Sequence, residues 1–116
     1  MPRRGEVWLA NLNPPRGTEP GKTRPVLVVQ AQALLDAGHP STLIVPLTTH
    51  VVPDTQPLRV HVPTSAGVRH GSDLLIDQVR SIDNRRLIDG PLTQLPPSLM
   101  HAVSAAIRDV LDLDEG

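Results

Sequence analysis

The sequence predicts a mainly β domain of the α+β class, in which five to seven short strands form a small barrel or a strongly curved sheet. Short apolar runs alternate with turns rich in proline and glycine over most of the chain. One segment near the C-terminus repeats apolar residues at helical spacing, which predicts a single substantial helix covering one face of the sheet. The length of 116 residues fits one domain, which we assign to residues 1–116.

The first quarter of the chain predicts two strands joined by a loop. Residues 5–11 (GEVWLAN) alternate apolar and polar side chains, as a half-buried strand does. Residues 13–23 (NPPRGTEPGKT) are dense in proline and glycine and predict a loop. Residues 25–30 (PVLVVQ) form a continuous apolar run, which is typical of a central strand. Residues 31–38 then predict one or two helical turns that end at Gly38.

The middle of the chain predicts two further strands. Residues 41–50 (STLIVPLTTH) form an apolar strand, in which Pro46 predicts an edge or a bulge, so that residues 47–49 leave regular pairing. Residues 57–62 (PLRVHV) alternate with period 2. This alternation predicts that Arg59 and His61 point outward and that three apolar residues point inward, namely Leu58, Val60 and Val62.

The last third predicts short strands followed by the main helix. Residues 71–83 hold one or two strands, and residues 84–87 predict a single turn. Residues 96–113 predict the helix, whose apolar stripe is expected to pack against the core. The stripe consists of Met100, Val103, Ile107, Val110 and Leu111.

Composition limits the possible functions. The net charge is −1, which argues against a protein that binds polyanions over its whole surface. The charge is nevertheless uneven, since residues 1–30 carry five basic and two acidic groups, whereas the tail is acidic at Asp112, Asp114 and Glu115. No apolar run approaches the roughly 20 residues of a membrane span. We therefore expect a soluble, cytoplasmic protein without membrane contact.

Several familiar kinds of catalytic site are not indicated. There is no cysteine, and the five histidines lack metal-ligand spacing, so we expect no metal site. No nucleotide-binding glycine motif or GxSxG motif occurs, so no cofactor and no serine nucleophile is predicted. His50 is assigned a passive role. Three acidic residues alternate with apolar ones and are expected at exposed strand and turn positions, namely Asp73, Asp77 and Asp83.

Two residues remain as candidates for chemistry, Arg24 and Thr48. Each lies where a predicted strand meets a loop, and loops held by a rigid scaffold are where functional sites concentrate. An arginine fixed at such a position offers a fork of donors that matches a phosphate group. The alternative interpretation is a surface arginine paired with Glu19 or an aspartate, and a threonine placed there by strand propensity.

Five blocks in register resemble the MazF/PemK toxins of bacterial toxin–antitoxin systems. They are RGEVW at 4–8, LNPPRGTE at 12–19, KTRPVLVV at 22–29, VPLT at 45–48 and DQVRSID at 77–83. The resemblance implies a small SH3-like, PemK-type barrel with short helices and one C-terminal helix. It also implies a homodimer and inhibition by a cognate MazE-like antitoxin, which covers the RNA site with an extended segment.

The activity implied by the resemblance is that of a metal-independent, sequence-specific endoribonuclease. Such an enzyme cuts single-stranded mRNA by attack of the 2′-hydroxyl and leaves 2′,3′-cyclic phosphate and 5′-hydroxyl ends. The family's catalytic arginine and threonine match Arg24 and Thr48. The general base is left unassigned. The alternative is a non-catalytic toxin or binding module of the same barrel, which inhibits a topoisomerase or another protein.

The resemblance also implies a set of RNA contacts around this pair. The loop at residues 13–23 is expected to gate the site and to read bases, and the glutamine of the DQVRSID block is expected to contact RNA. With Trp8 as the single aromatic residue, recognition is expected to use hydrogen bonds, arginine planes and loop backbone rather than aromatic stacking. The candidate RNA-binding residues are Arg16, Glu19, Lys22, Thr23, Thr49, Gln78 and Arg80.

Overall fold

Seven strands and two α-helices make up the part of the chain that the structure, a computed structural model, describes, residues 1–113. Asp114 and Glu115 of the predicted acidic tail lie outside the described residues. The strands are β1 Glu6–Asn11, β2 Thr23–Val28, β3 Ser41–Thr48, β4 Arg59–Val62, β5 Ser72–Leu75, β6 Arg80–Asp83 and β7 Leu87–Gln94. The helices are α1 Gln32–Asp36 and α2 Pro97–Leu111, and single 3₁₀ turns lie at Thr64–Ala66, Ile76–Gln78 and Asn84–Arg86. None of these helices is long and apolar enough to cross a membrane.

All strands pair antiparallel in one sheet of order β4-β5-β3-β2-β1-β7, and β6 pairs with β3 beside this path. The prediction of a mainly β fold with five to seven strands and a C-terminal helix is confirmed. Within residues 1–113 the path ends at β4 and β7, which do not pair with each other. The chain therefore forms an open, curved sheet rather than a closed barrel.

The prediction that Pro46 interrupts β3 was wrong. Pro46 pairs with Val26 of β2, and Leu47 and Thr48 continue the strand by pairing with β5. On its other edge, β3 pairs with β6 up to Ile44 and with β5 from Leu47 onward. Pro46 lies at this change of partner, where no neighbouring strand requires its missing N–H.

The later strands follow the predicted order with two differences. Val60 and Val62 of β4 are buried as predicted, but Leu58 is 50% exposed because β4 begins only at Arg59. The turn predicted at residues 84–87 is confirmed. Strand β7 was not predicted, since its Gly90–Pro91 step suggests a break. It lies at the edge of the sheet and pairs with β1 through register shifts, a position in which proline is tolerated.

The main core lies between one face of the sheet and α2. Val103 of α2 is fully buried, and Met100, Ile107 and Val110 pack against the core from partly buried positions, as the stripe predicts. Leu111, the last residue of α2, is 51% exposed, contrary to that prediction. The strand residues of this core are Val7, Leu27, Val45, Leu47, Val60, Val62 and Leu74.

The opposite face of the sheet, called the outer face below, is apolar at one end and polar at the other. Its apolar end is a second cluster, which Trp8 partly covers and which consists of Ala10, Leu12, Val26, Ile44 and Ile82. Strand β1 is therefore covered on both faces rather than half-buried, and even Glu6 is only 8% exposed. The Glu6 carboxylate accepts hydrogen bonds from Trp8 Nε1 and the Arg3 backbone N–H, which accounts for its burial.

Candidate active site

Arg24 lies at the polar end of the outer face, in the second position of β2. Its Nε donates a hydrogen bond to the Gly21 carbonyl at 2.9 Å, and its Nη1 donates to the Leu47 carbonyl at 3.4 Å. The side chain is half-buried. The guanidinium is therefore held between the β1–β2 loop and β3, while the rest of its donors stay available to a ligand.

Thr48, the last residue of β3, lies beside this guanidinium. The β2–β3 register pairs Val26 with Pro46, and continuing it by two residues places Arg24 opposite Thr48. Directly opposed residues of an antiparallel pair point to the same face, with Cβ atoms about 4.5–5.5 Å apart. The Thr48 hydroxyl oxygen accepts a hydrogen bond from the His50 backbone N–H at 3.2 Å. The structure thus brings the two predicted catalytic residues together.

The same row of residues continues across two more strands. Thr48 pairs with Asp73 of β5, and Asp73 pairs with His61 of β4. Arg24, Thr48, Asp73 and His61 consequently lie side by side on the outer face. Sequence reasoning singled out the first two members of this row and expected Asp73 at an exposed position.

Asp73 is only 2% exposed, so the prediction of an exposed position was wrong, whereas Asp77 and Asp83 are exposed as predicted. One carboxylate oxygen accepts from the Val52 N–H at 2.9 Å and from Arg59 Nη1 at 3.1 Å. The other accepts from His61 Nδ1 at 3.1 Å. In the sequence, Asp73 is only an aspartate in an apolar run. The groups that bury it lie on β4 and in the loop that contains Val52, so the local pattern does not reveal them.

The pKa of Asp73 reflects these contacts. Burial of the carboxyl group raises its pKa, since desolvation disfavours the charged form. The hydrogen bonds from Val52, His61 and Arg59 lower it, together with the positive charge of Arg59. The hydrogen bonds and the charge of Arg59 together outweigh desolvation. The pKa of Asp73 therefore lies below its ordinary value, and the group is a carboxylate at neutral pH.

The β1–β2 loop carries three of the predicted RNA-binding residues, and a fourth follows it directly. Arg16, Glu19, Lys22 and Thr23 are all exposed, Thr23 at the first position of β2. Arg16 and Glu19 form an isolated β-bridge within the loop. The loop is tied back to the end of β1, because the Lys22 N–H donates to Asn13 Oδ1 and the Leu12 N–H donates to the Lys22 carbonyl.

The other predicted RNA contacts lie around this loop. Gln78 lines a cavity of about 290 Å³ together with Thr18 and Pro20 of the loop. Arg80 forms an ion pair with Glu19 at 3.7 Å, which links β6 to the loop. Thr49 is exposed directly after Thr48. The loop therefore meets Gln78 and Arg80, whereas Thr49 follows Thr48 at the end of β3.

Residues 1–113 contain no group of three or more histidine, aspartate or glutamate side chains placed to hold a metal ion. His50 contributes its backbone, through the N–H on Thr48 and through a carbonyl that accepts from Arg59 Nη1 at 2.8 Å. His61, assigned an outward position, has a 52% exposed side chain whose Nδ1 faces Asp73.

Residues 3–111 match the family model described as "PemK-like, MazF-like toxin of type II toxin-antitoxin system". The chain belongs to this family. Endoribonuclease EndoA of Bacillus subtilis is 33% identical over 115 residues, covering 96% of this chain and 95% of that protein. Endoribonuclease MazF of Staphylococcus saprophyticus is 33% identical over 117 residues, covering 97% and 93%. Endoribonuclease MazF2 of Mycobacterium bovis is 31% identical over 111 residues, covering 95% and 96%.

Solved structures of family members share the fold. MazF from Deinococcus radiodurans superposes with a TM-score of 0.81 at 26% identity, covering 97% of both chains. A MazE–MazF structure from the same organism gives a TM-score of 0.77 at 26% identity, covering 97% of this chain and 98% of that one. The predicted toxin family and the predicted enzyme class, endoribonuclease, are confirmed, and no comparison supports the alternative of a non-catalytic binding module.

Proposed function

We propose that this toxin cleaves single-stranded mRNA at a phosphate held between Arg24 and Thr48. The observation that carries the proposal is the β2–β3 register, which extends to place Arg24 opposite Thr48 on one face of the sheet, with the guanidinium fixed by the Gly21 and Leu47 carbonyls. A half-buried arginine with open donors is suited to a phosphate group, because its planar fork matches two phosphate oxygens.

The proposed reaction transfers the phosphorus from one ribose oxygen to another. The 2′-oxygen of one nucleotide attacks the adjacent phosphorus as its proton leaves, and the bond to the 5′-oxygen of the next nucleotide breaks and that oxygen gains a proton. The products are a 2′,3′-cyclic phosphate and a 5′-hydroxyl end. The nucleophile belongs to the substrate, so the proposed chemistry needs no metal-bound water.

Arg24 and Thr48 have different roles in this reaction. Negative charge grows on the phosphoryl oxygens in the transition state, and Arg24 neutralises it from a position fixed in advance. Arg24 is not the base that removes the 2′-proton, since a guanidinium stays protonated below about pH 12. The Thr48 hydroxyl donates a hydrogen bond to a phosphoryl oxygen. Loss of one such donor typically costs about 10²–10³ in rate.

RNA binding around the scissile phosphate is proposed for the residues of the β1–β2 loop and its neighbours. Arg16 and Lys22 bring positive charge to the exposed loop, and Gln78 presents its amide in the cavity beside Thr18 and Pro20. Thr23, Thr49, Glu19 and Arg80 complete the proposed contact set. Sequence selectivity then arises from hydrogen bonds to bases rather than from stacking on aromatic rings.

Two interactions with other chains are part of the proposal. We propose a homodimer, for which exposed leucines such as Leu43 and Leu111 supply apolar surface around a cavity of about 350 Å³. We also propose inhibition by a MazE-like antitoxin whose acidic segment covers the basic loop, in line with the MazE–MazF structures among the similar folds. The proposed site of action is the cytoplasm, where mRNA is available.

The proposal is tested by incubating the purified protein with a long single-stranded RNA in EDTA and mapping the ends. Discrete cuts with 5′-hydroxyl ends are expected for the wild type, and a loss of roughly 10²–10³ in rate is expected for Arg24→Ala and Thr48→Ala. Arg3→Ala before β1 and Thr64→Ala, both at exposed positions, are matched controls that should cleave normally. Full cleavage by both site variants would refute the assignment. Intact RNA combined with inhibition of DNA supercoiling would favour a topoisomerase-binding toxin.

A further inference from the structure

A continuous set of hydrogen bonds connects the buried Asp73 to the hydroxyl of Thr48. Asp73 accepts from Arg59 Nη1 at 3.1 Å, and the same Nη1 donates to the His50 carbonyl at 2.8 Å. The His50 N–H in turn donates to Thr48 Oγ1 at 3.2 Å. A second branch runs from Asp73 to the Val52 N–H at 2.9 Å.

These contacts fix the segment that follows Thr48, residues 49–58, which joins β3 to β4. Asp73 holds the segment through Val52 and, by way of Arg59, through His50. Thr55 Oγ1 donates to the Val52 carbonyl at 3.1 Å, so the anchored part extends further along the segment. Most residues of the segment 49–58 are exposed, and the segment is not part of a strand pair among residues 1–113.

The anchored segment determines how the Thr48 hydroxyl can act. A hydroxyl has one donor and two acceptor positions. Because the His50 N–H occupies one acceptor position, the hydroxyl proton points elsewhere and is available to a phosphoryl oxygen. If His50 moves, this restraint on the rotation of the hydroxyl is lost, and a donor that must be oriented during the reaction stabilises the transition state less.

We propose that Asp73 is a positioning residue for Thr48. Asp73 holds the backbone of residues 50–52 directly, at the Val52 N–H, and indirectly, by way of Arg59 at the His50 carbonyl. This inference rests on the proposed role of Thr48 in RNA cleavage. Asp73 does not touch the substrate in this scheme. It orders the segment after Thr48, and through the His50 N–H it aims the hydroxyl at the phosphate beside Arg24.

Asp73→Asn tests the idea with almost no change in volume. The carboxylate accepts three hydrogen bonds, from Val52, Arg59 and His61, whereas an amide offers one acceptor oxygen and turns its NH₂ group toward a donor. We expect the single-turnover cleavage rate to fall roughly ten- to a hundredfold, with KM little changed, because a small misplacement of a reacting group has effects of this size. Asp83→Asn makes the same chemical change at the exposed last residue of β6 and should cleave normally.

A double-mutant cycle with Thr48→Val separates positioning from general destabilisation. If Asp73 acts through Thr48, Asp73→Asn should change the residual rate of Thr48→Val by less than about twofold, since the interaction it supports is already absent. A further loss as large as that in the wild type would overturn the inference. So would an unchanged rate for Asp73→Asn alone.

Arg59→Gln provides a second variant in case Asp73→Asn does not fold. It removes the link to the His50 carbonyl together with the Arg59–Asp73 ion pair and leaves the Val52 N–H bonded to Asp73. The same non-additivity with Thr48→Val is expected. Amide hydrogen exchange supplies a readout that does not require RNA cleavage. The His50 amide should exchange faster in both variants and the Val52 amide in Asp73→Asn, while the amides of β2 stay protected. Unchanged exchange at His50 in both variants would also overturn the inference.

The outcome distinguishes this inference from the proposed function. If Thr48→Val cleaves RNA at the wild-type rate, the assignment of Thr48 fails, whatever Asp73 does. If Thr48→Val is impaired and Asp73→Asn adds an independent loss, only the positioning role fails.

Discussion

Arg24 is the residue whose geometry most directly affects the proposed chemistry. Two backbone carbonyls, those of Gly21 and Leu47, hold its guanidinium in place without help from a substrate. Positive charge fixed in advance is worth more in a transition state than charge that must first be oriented. We therefore expect the contribution of Arg24 to RNA cleavage to depend on the shape of the guanidinium as well as on its charge.

Arg24→Lys is expected to cleave RNA at least tenfold more slowly than the wild type. A lysine keeps the charge, but it has no planar fork with which to contact two backbone carbonyls and a phosphate together. Single-turnover rates at saturating enzyme measure the effect, with Arg3→Lys at an exposed position before β1 as the matched control. Wild-type rates for Arg24→Lys would show that charge alone is sufficient.

The buried carboxylate of Asp73 is expected to make stability depend on acid pH. Its pKa is lowered in the folded state, so it stabilises the fold above the ordinary aspartate pKa of about 3.9, and this contribution is lost as the pH falls through the lower folded-state value. Asp73→Asn should consequently reduce the drop in unfolding free energy between about pH 5 and pH 2. Denaturant unfolding at a series of pH values measures this, and parallel curves for the two proteins would contradict it.

The difference between Arg24 and Asp73 shows what a single sequence reveals about a site. Arg24 and Thr48 lie in local motifs, KTRP and VPLT, and the resemblance of these motifs to those of the family predicts their chemistry. Asp73 depends on Arg59 and His61, which precede it in the chain by 14 and 12 residues. Only the β4–β5 register brings these three side chains together, and the sequence does not state that register.

At the scale of structural elements, the β1–β2 loop determines where Arg24 is held. A Cβ atom added to Gly21 would lie 2.7 Å from Pro15 Cδ and 2.9 Å from Pro15 N, so no side chain fits there without displacing the loop. The same residue supplies the carbonyl that accepts from Arg24 Nε. Close packing within the loop and the anchoring of Arg24 are thus coupled through one residue.

Gly21→Ala is expected to slow RNA cleavage roughly tenfold or more, because the clash with Pro15 moves the carbonyl that anchors Arg24. The melting temperature should change little, since Gly21 and Pro15 belong to neither of the two core clusters. Gly17→Asn is the control in the same loop, because the space around Gly17 is open and asparagine tolerates its positive φ. Equal cleavage rates for the two variants would argue against the coupling.

Elements were predictable where one strand or helix carries its own signal. Strand β2, α2 and the turn at Asn84–Arg86 follow from local apolar patterns and turn residues. Strand β7 was missed because Gly90–Pro91 suggests a break, and the prediction for Pro46 was wrong because its tolerance depends on a change of partner beside β3. In both cases the neighbouring strand determines whether proline is tolerated, and a local sequence pattern carries no information about that strand.

At the scale of the whole molecule, charge is arranged so that a nearly neutral protein has a basic site. Arg16, Lys22 and Arg24 form no ion pair with an acidic side chain of residues 1–113, and all three border the β1–β2 loop. Arg59 and Arg80, in contrast, are neutralised by Asp73 and Glu19. The basic side chains that are unevenly distributed along the sequence therefore cluster at the polar end of the outer face, as a phosphate-binding surface requires.

RNA affinity is therefore expected to fall as salt rises, by about 0.7 log units per log unit of salt for each phosphate neutralised. Arg16→Gln removes one exposed, unpaired cation of the loop and should make the slope shallower by about that amount. Arg3→Gln makes the same change before β1, at the end of that strand opposite to the β1–β2 loop, and should leave the slope as it is. Fluorescence anisotropy with a non-cleavable 2′-O-methyl RNA measures both slopes. An affinity that is independent of salt, or an equal change in both variants, would mean that RNA does not bind along the loop.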